Sequence, residues 1–326
     1  MPAPHLAELV LAGDRRALSR AITIVESTAA GDRRRAAELL DEVLPSSGGA
    51  LRVAITGAPG SGKSTFIEAL GAHVIEAGRR VAVLAVDPSS ERGGGSILGD
   101  KVRMESLARE PAAYIRPSPS SGSLGGVARR TREAMLLCEA AGFDVVLVET
   151  VGVGQSETAV SRLVDGIVLI GAPAGGDELQ GIKRGIMEFA DIIVVNKADG
   201  DLALAAERSV SDLRRAVHLL RPRHGGWETT VMAASAVEGS GIAEVWQAIL
   251  DLHRHLTEDG GLTRQRQEQA VGWMWDEVHE ELLARARREI GEVGDLVAAV
   301  RQGSVAPTSA ARQILDRLGP APSVES

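Results

Sequence analysis

Eight residues, Gly57-Ala58-Pro59-Gly60-Ser61-Gly62-Lys63-Ser64, constrain this chain more than any other feature. They fit G-x-x-x-x-G-K-[ST] and stand between an apolar run at 53–56 and a helical stretch that begins at Ser64. That context matters as much as the pattern. Glycines let a loop wrap closely, so that backbone N–H groups and a helix N-terminus face a phosphate. Lysine then reaches the β and γ phosphates, and the serine hydroxyl ligates magnesium. Gly57, Pro59, Gly60, Ser61, Gly62, Lys63, Ser64 and the adjoining Thr65 are therefore the expected phosphate-binding residues.

The surroundings of this loop fix the fold class. Short apolar runs at 53–56, 81–86, 145–148, 167–170, 192–195 and 230–233 alternate with helical segments, each run bounded by Gly, Asp or Asn. Strand then helix, repeated with long crossovers, predicts an α/β fold with a doubly wound, mainly parallel sheet. Only 2% of the residues are aromatic while 44% are hydrophobic, so aliphatic side chains must supply the core, as they do in strands buried on both faces. Apolar residues from Leu6 to Val25 recur at helical spacing, with Gly13-Asp14 as stop and N-cap, and a third helical stretch covers 33–44. Pro45-Ser46-Ser47-Gly48-Gly49 breaks that pattern. Past 257–261, Val271, Met274, Trp275, Val278, Leu282 and Leu283 form a helical apolar stripe. The expected division is an N-terminal helical extension at 1–48, a P-loop domain at 49–257 and a C-terminal helical arm at 258–326, with a last short helix after Ala306-Pro307-Thr308.

Further motifs sit at strand ends, where parallel sheets bind ligands. Asn196-Lys197-Ala198-Asp199 matches N-K-x-D, in which the carboxylate accepts from the guanine N1–H and N2 amine. Adenine lacks that donor pair, so selectivity follows from polar groups left unpaired with the wrong base. Ser235-Ala236, after the next strand, stands where a backbone N–H would meet guanine O6. Asp87 and Glu149 end two other strands as candidate magnesium acids. Glu149-Thr150-Val151-Gly152 places the Gly152 N–H near the γ-phosphate, and Asp100 closes a Gly- and Ser-rich loop suited to a switch. His73, His218, His253 and His255 have no metal-ligand spacing, and Arg33-Arg34-Arg35 and Arg285, Arg287 and Arg288 read as solvated helix faces. Trp273 and Trp275 fit either an ordinary core or an interface. A net charge of −8 disfavours nucleic acid, no apolar run is long enough for a membrane span, and a single cysteine, Cys138, suits the cytoplasm.

Taken with Asp87-Pro88-Ser89-Ser90, Gly94-Gly95-Ser96-Ile97-Leu98-Gly99-Asp100-Lys101 and the run from Glu149 to Glu157, the chain resembles the MeaB/ArgK GTPases, chaperones of adenosylcobalamin-dependent methylmalonyl-CoA mutase. Arg116-Pro117-Ser118-Pro119-Ser120-Ser121-Gly122 and Gly176-Asp177-Glu178-Leu179-Gln180-Gly181-Ile182-Lys183 extend the likeness over nearly the whole length. The resemblance implies a magnesium-dependent GTPase, cycling between GTP and GDP, that gates cofactor delivery to an acyl-CoA mutase and protects or reactivates it. It implies a homodimer through the C-terminal helices, and a third switch with Asp177, Gln180 and Lys183 as functional positions. It also marks Asp87 and Asp100 as acids of the nucleotide site. Two departures stand out: Ala58-Pro59-Gly60-Ser61 replaces Val-Pro-Gly-Val, and Gly93 and Val102 stand where threonine is usual. A metal-inserting maturation GTPase, a kinase of the older ArgK label and a nucleotide-binding module without turnover are the alternative readings.

Overall fold

Helical spacing at the N-terminus folds as its pattern requires. The computed structural model describes residues 3–27, 29–87, 104–119, 124–150, 160–173, 184–290 and 293–317. Helices α1 (Ala3–Leu11), α2 (Arg15–Glu26) and α3 (Ala30–Val43) bury Leu6, Val10, Leu18, Ile22, Val25 and Leu39 against one another. Between the first two, Gly13 takes φ +78° and the Asp14 carboxylate caps α2 by accepting from the Ala17 N–H at 2.8 Å.

Among the described residues seven strands follow: β1 (Leu51–Gly57), β2 (Val81–Asp87), β3 (Ala113–Pro119), β4 (Val145–Thr150), β5 (Gly166–Gly171), β6 (Ile192–Val195) and β7 (Thr230–Ala233). All pair in parallel, in the order β3-β2-β4-β1-β5-β6-β7. Helices α4 (Lys63–Glu76), α5 (Glu105–Arg109) and α9 (Ile242–Glu258) supply Phe66, Leu70, Leu107, Trp246 and Ile249 to a core with Val53, Ile55, Val83, Leu147 and Val168. Burying each such aliphatic chain contributes about 1.5–3 kcal/mol. Helix α6 (Leu124–Ala140) lies against β2 and β4 and carries α1, α2 and α3 on its outer side. The short α7 (Arg184–Met187) precedes β6, and α8 (Ala203–Val217) packs Val210 and Leu213 on Ile193, Val195 and Val231.

The six expected runs all form strands, and β3 is an addition to them. Its residues 116–119, Arg-Pro-Ser-Pro, do not read as a strand, because proline cannot donate to a ladder. Register explains the tolerance. The Ala112 carbonyl accepts from the Val81 N–H, so even-numbered residues of β3 face β2, and Pro117 and Pro119 point their nitrogens to the open side. At the other edge, Thr230 and Ala234 donate to Asp191 and Val195, which turns Val231 outward; the Arg214 guanidinium donates twice to its carbonyl, at 3.2 and 3.0 Å.

Buried ion pairs hold the amino-terminal edge of the sheet. Arg52 meets Glu139 of α6 at 2.5 and 3.0 Å, and Asp191 accepts from Arg223 at 2.8 Å and from the Ile167 N–H at 2.8 Å.

The chain divides into two compact units, Met1–Gln269 and Ala270–Ser326. Helix α10 (Gly261–Ile290) starts in the first, after a turn with Gly260 at φ +66°, and ends in the second. Val271, Met274, Trp275, Val278, Leu282 and Leu283 are exposed on it. Helices α11 (Gly294–Arg301) and α12 (Pro307–Asp316) touch each other, and Ala310 is buried. Among the described residues, no helix is long and apolar enough to cross a membrane.

Candidate functional site

Strand order places the site. The chain leaves β1 toward β2 on one side and returns from β4 to β5 on the other, so β1 is the switch point where loops at the carboxyl ends diverge. The glycine-rich loop occupies that point.

Two of its glycines are required by close approach. Gly57 has φ +150°, and a Cβ there would lie 2.1 Å from the Ile170 carbonyl oxygen. Gly62 has φ +88°, and its Cβ would lie 2.5 Å from Asn196 Nδ2. The loop therefore packs directly on β5 and on the strand end that follows β6. Ala58, Pro59 and Gly60 are exposed, whereas Ser61 and Lys63 are buried. Lys63 Nζ donates to the Gly57 and Ala58 carbonyls at 2.9 and 3.0 Å. Burial holds its ammonium below the ordinary lysine range, while the nearby Glu149 carboxylate pulls it back up. Thr65 is exposed on the first turn of α4.

Ser64 Oγ donates to Glu149 Oε1 at 2.9 Å, although 85 residues separate them in the chain. Glu149 is 6% exposed. A hydroxyl and a buried carboxylate, both hard oxygen donors and both beside the lysine, suit a small divalent cation such as magnesium. Asp87 ends β2 as expected, but its side chain lies outside the described residues, as do Asp100, Gly152, Asp177, Gln180 and Lys183.

The base-binding candidates converge from β6 and β7. Asp199 accepts from the Ser235 hydroxyl, and Ser235 is fully buried, with its Oγ also taking the Glu238 N–H at 3.1 Å. That pair fixes the carboxylate's direction. The Ala236 N–H donates to Asn196 Oδ1 at 3.1 Å. Asn196 Nδ2 reaches the other way, to the Ser61 carbonyl at 3.0 Å. One amide thus staples the phosphate loop to the base loop. Lys197, at an uncommon φ of +61°, donates to the Gly60 carbonyl at 2.7 Å. The sequence marked Asn196 and Lys197 as members of a base motif, but their hold on the phosphate loop emerges only from the fold.

Known proteins resemble this chain along most of its length. The family described as Methylmalonyl Co-A mutase-associated GTPase MeaB matches residues 18–290. A putative GTPase of Caulobacter vibrioides is 53% identical over 313 residues, covering 95% of this chain and 96% of the relative. The mitochondrial methylmalonic aciduria type A homolog of Mus musculus is 50% identical, over 83% of this chain and 68% of that protein. A crystal structure described as a LAO/AO transport system kinase superposes with a TM-score of 0.75 at 39% identity, covering 98% of both chains.

Proposed function

The chain belongs to the MeaB family of methylmalonyl Co-A mutase-associated GTPases, and from that premise we propose that it uses GTP and magnesium to control an adenosylcobalamin-dependent acyl-CoA mutase. The observation that carries the nucleotide part is the Ser64–Glu149 contact beside Lys63, on the same phosphate loop that Asn196 staples.

In this reading Asp199, steered by Ser235, accepts from the guanine N1–H and N2 amine, and Lys197 and Asn196 hold the phosphate loop in register with the base loop. Lys63 gives up its loop carbonyls for the β and γ phosphates, where its charge offsets the negative charge that builds as a water attacks in line. Ser64 and Glu149, with Asp87 and Asp100, would hold magnesium, which neutralises charge shared between the β and γ phosphate oxygens when bound. Because Lys63 is held by two carbonyls in a buried setting that disfavours its charge, moving it to phosphate exchanges one set of acceptors for a stronger, charged set.

The finer reading is that hydrolysis gates cobalamin delivery and protects or reactivates the mutase in the cytoplasm, with residues 177–183 as the segment the mutase acts on. The exposed stripe of Val271, Met274, Trp275, Val278 and Leu282 supports a homodimer through the C-terminal helices, since a contiguous apolar helix face in water favours a partner. The test is phosphate release from GTP, with ATP as control, alone and with stoichiometric adenosylcobalamin-dependent acyl-CoA mutase. Large, GTP-specific acceleration supports the reading. GTP-specific turnover unchanged by any candidate mutase keeps the GTPase and removes the proposed partner.

A further inference from the structure

The connection between β4 and β5 leaves the site at Glu149 and re-enters the described structure at Val160. Its return end is gripped in an unusual way. The Val164 carbonyl, with two lone pairs, accepts from Gln265 Nε2 at 2.9 Å, from Gln269 Nε2 at 3.0 Å and from Arg223 Nη2 at 3.5 Å. Arg223 also donates to the Ser161 carbonyl at 2.9 Å, and Gln265 to the Asp165 carbonyl at 3.3 Å. The Asp165 carboxylate takes Arg266 at 2.9 and 2.6 Å, and the Arg52 N–H of β1 at 2.9 Å. Arg266 further donates to the carbonyls of Gly48 and Ala50, just before β1, at 2.5 and 2.7 Å.

Three side chains from two successive turns of α10, Gln265, Arg266 and Gln269, therefore close on one short stretch of backbone. The hold is not simply tight. The amide oxygens of Gln265 and Gln269 are buried without a hydrogen-bond partner, so the glutamine part of the contact carries a desolvation cost comparable to what its own bonds return. A contact in such balance responds to small displacements of the backbone it grips.

We propose that residues 161–165 and the first turns of α10 form a joint, through which the nucleotide-sensing β4–β5 connection sets how firmly the root of the C-terminal helical arm is held. The proposal rests on the reading of Glu149 as a nucleotide-site acid. A nucleotide-dependent displacement of Ser161–Asp165 alters which of the competing donors keeps the Val164 carbonyl.

Hydrogen exchange of the full chain, with magnesium and either GDP or a non-hydrolysable GTP analogue, tests this. The expected result is a several-fold difference in exchange between the two nucleotides at both 160–166 and 261–269. In the Gln265→Ala/Gln269→Ala variant the difference at 261–269 disappears, while that at 160–166 and the nucleotide affinity stay as in the parent. The single Gln265→Ala variant, expected to show a reduced response, serves if the double variant does not fold. A response at 160–166 that stops short of 261–269 in the parent overturns the joint and leaves the nucleotide-site reading standing, as does an undiminished response in the variants. No response at either segment removes the nucleotide-sensing reading itself, and the joint with it.

Discussion

Gly60 and Gly62 offer a matched pair for measuring what the Asn196 staple is worth. Both have φ near +85°, at +82° and +88°, and both lie in the phosphate loop. Nothing stands within 4 Å of a Cβ built on Gly60, whereas one on Gly62 meets Asn196 Nδ2 at 2.5 Å. Gly60→Ala therefore costs only the left-handed backbone, about 1–2 kcal/mol. Gly62→Ala costs the same and also expels the Asn196 amide, losing the bonds to the Ser61 carbonyl and from the Ala236 N–H, about 0.5–1.5 kcal/mol each. The sum is about 2–5 kcal/mol. With a urea slope of about 3 kcal/mol per M, the Gly60 variant should lose about 0.5 M in midpoint and the Gly62 variant about 1 M or more. The assay is urea unfolding without nucleotide, so that phosphate contacts play no part. In an Asn196→Ala background the clash and the staple are both gone, and Gly62→Ala should then cost no more than Gly60→Ala. If Gly62→Ala costs the same in both backgrounds, Asn196 does not hold the loop and the reasoning is wrong.

Other outcomes follow from the same geometry. Glu149→Gln keeps the shape but removes the charge facing Ser64 and Lys63; GTP turnover should fall roughly 100-fold and need more magnesium, and an unchanged magnesium titration of phosphate release would exclude Glu149 from the metal site. Asp199→Asn should weaken GTP roughly 100-fold or more relative to xanthosine triphosphate, measured by competition for a fluorescent nucleotide; retained guanine preference would remove Asp199 from base recognition. Burial pushes His224 and His253 below the ordinary 6.5, against the pull of Asp191 on the first and Asp165 on the second. The folded chain then binds fewer protons than the unfolded one just below that value, so their contribution is full above 6.5 and is lost as pH falls through it. Urea midpoints should drop between about pH 8 and about pH 5.5. Replacing both histidines by glutamine should flatten that drop, and an unaltered slope would assign it elsewhere.

The central sheet was legible because its strands are buried on both faces, which leaves uninterrupted Val, Ile and Leu runs that no surface helix carries. The helix stop at Gly13-Asp14 and the break near 257–261 were equally plain, since a left-handed glycine marks each turn, at Gly13 and Gly260. Strand β3 escaped because Pro117 and Pro119 are tolerated only through a register that pairing with β2 creates. The same divide runs through the site. Lys63 and Ser64 open the helix after β1, and Glu149, Asn196 and Asp199 stand at or just past strand ends, all in recognisable patterns. The dual use of Asn196, the steering of Asp199 by Ser235 and the convergence on Val164 join residues 36 to 135 positions apart, and only the assembled sheet brings them together.

The two margins of the sheet have a bearing on how safely the chain folds. A parallel sheet assembled from distant segments forms slowly and offers raw edges to other copies in the meantime. At β3 the outward nitrogens at 117 and 119 carry no hydrogen, so an incoming strand finds no donor at two consecutive outward positions. At β7, only four residues long, the outward carbonyl of Val231 is already taken by Arg214. An eighth strand finds an interrupted template at one margin and a guanidinium in its path at the other, so both edges resist misassembly by edge addition.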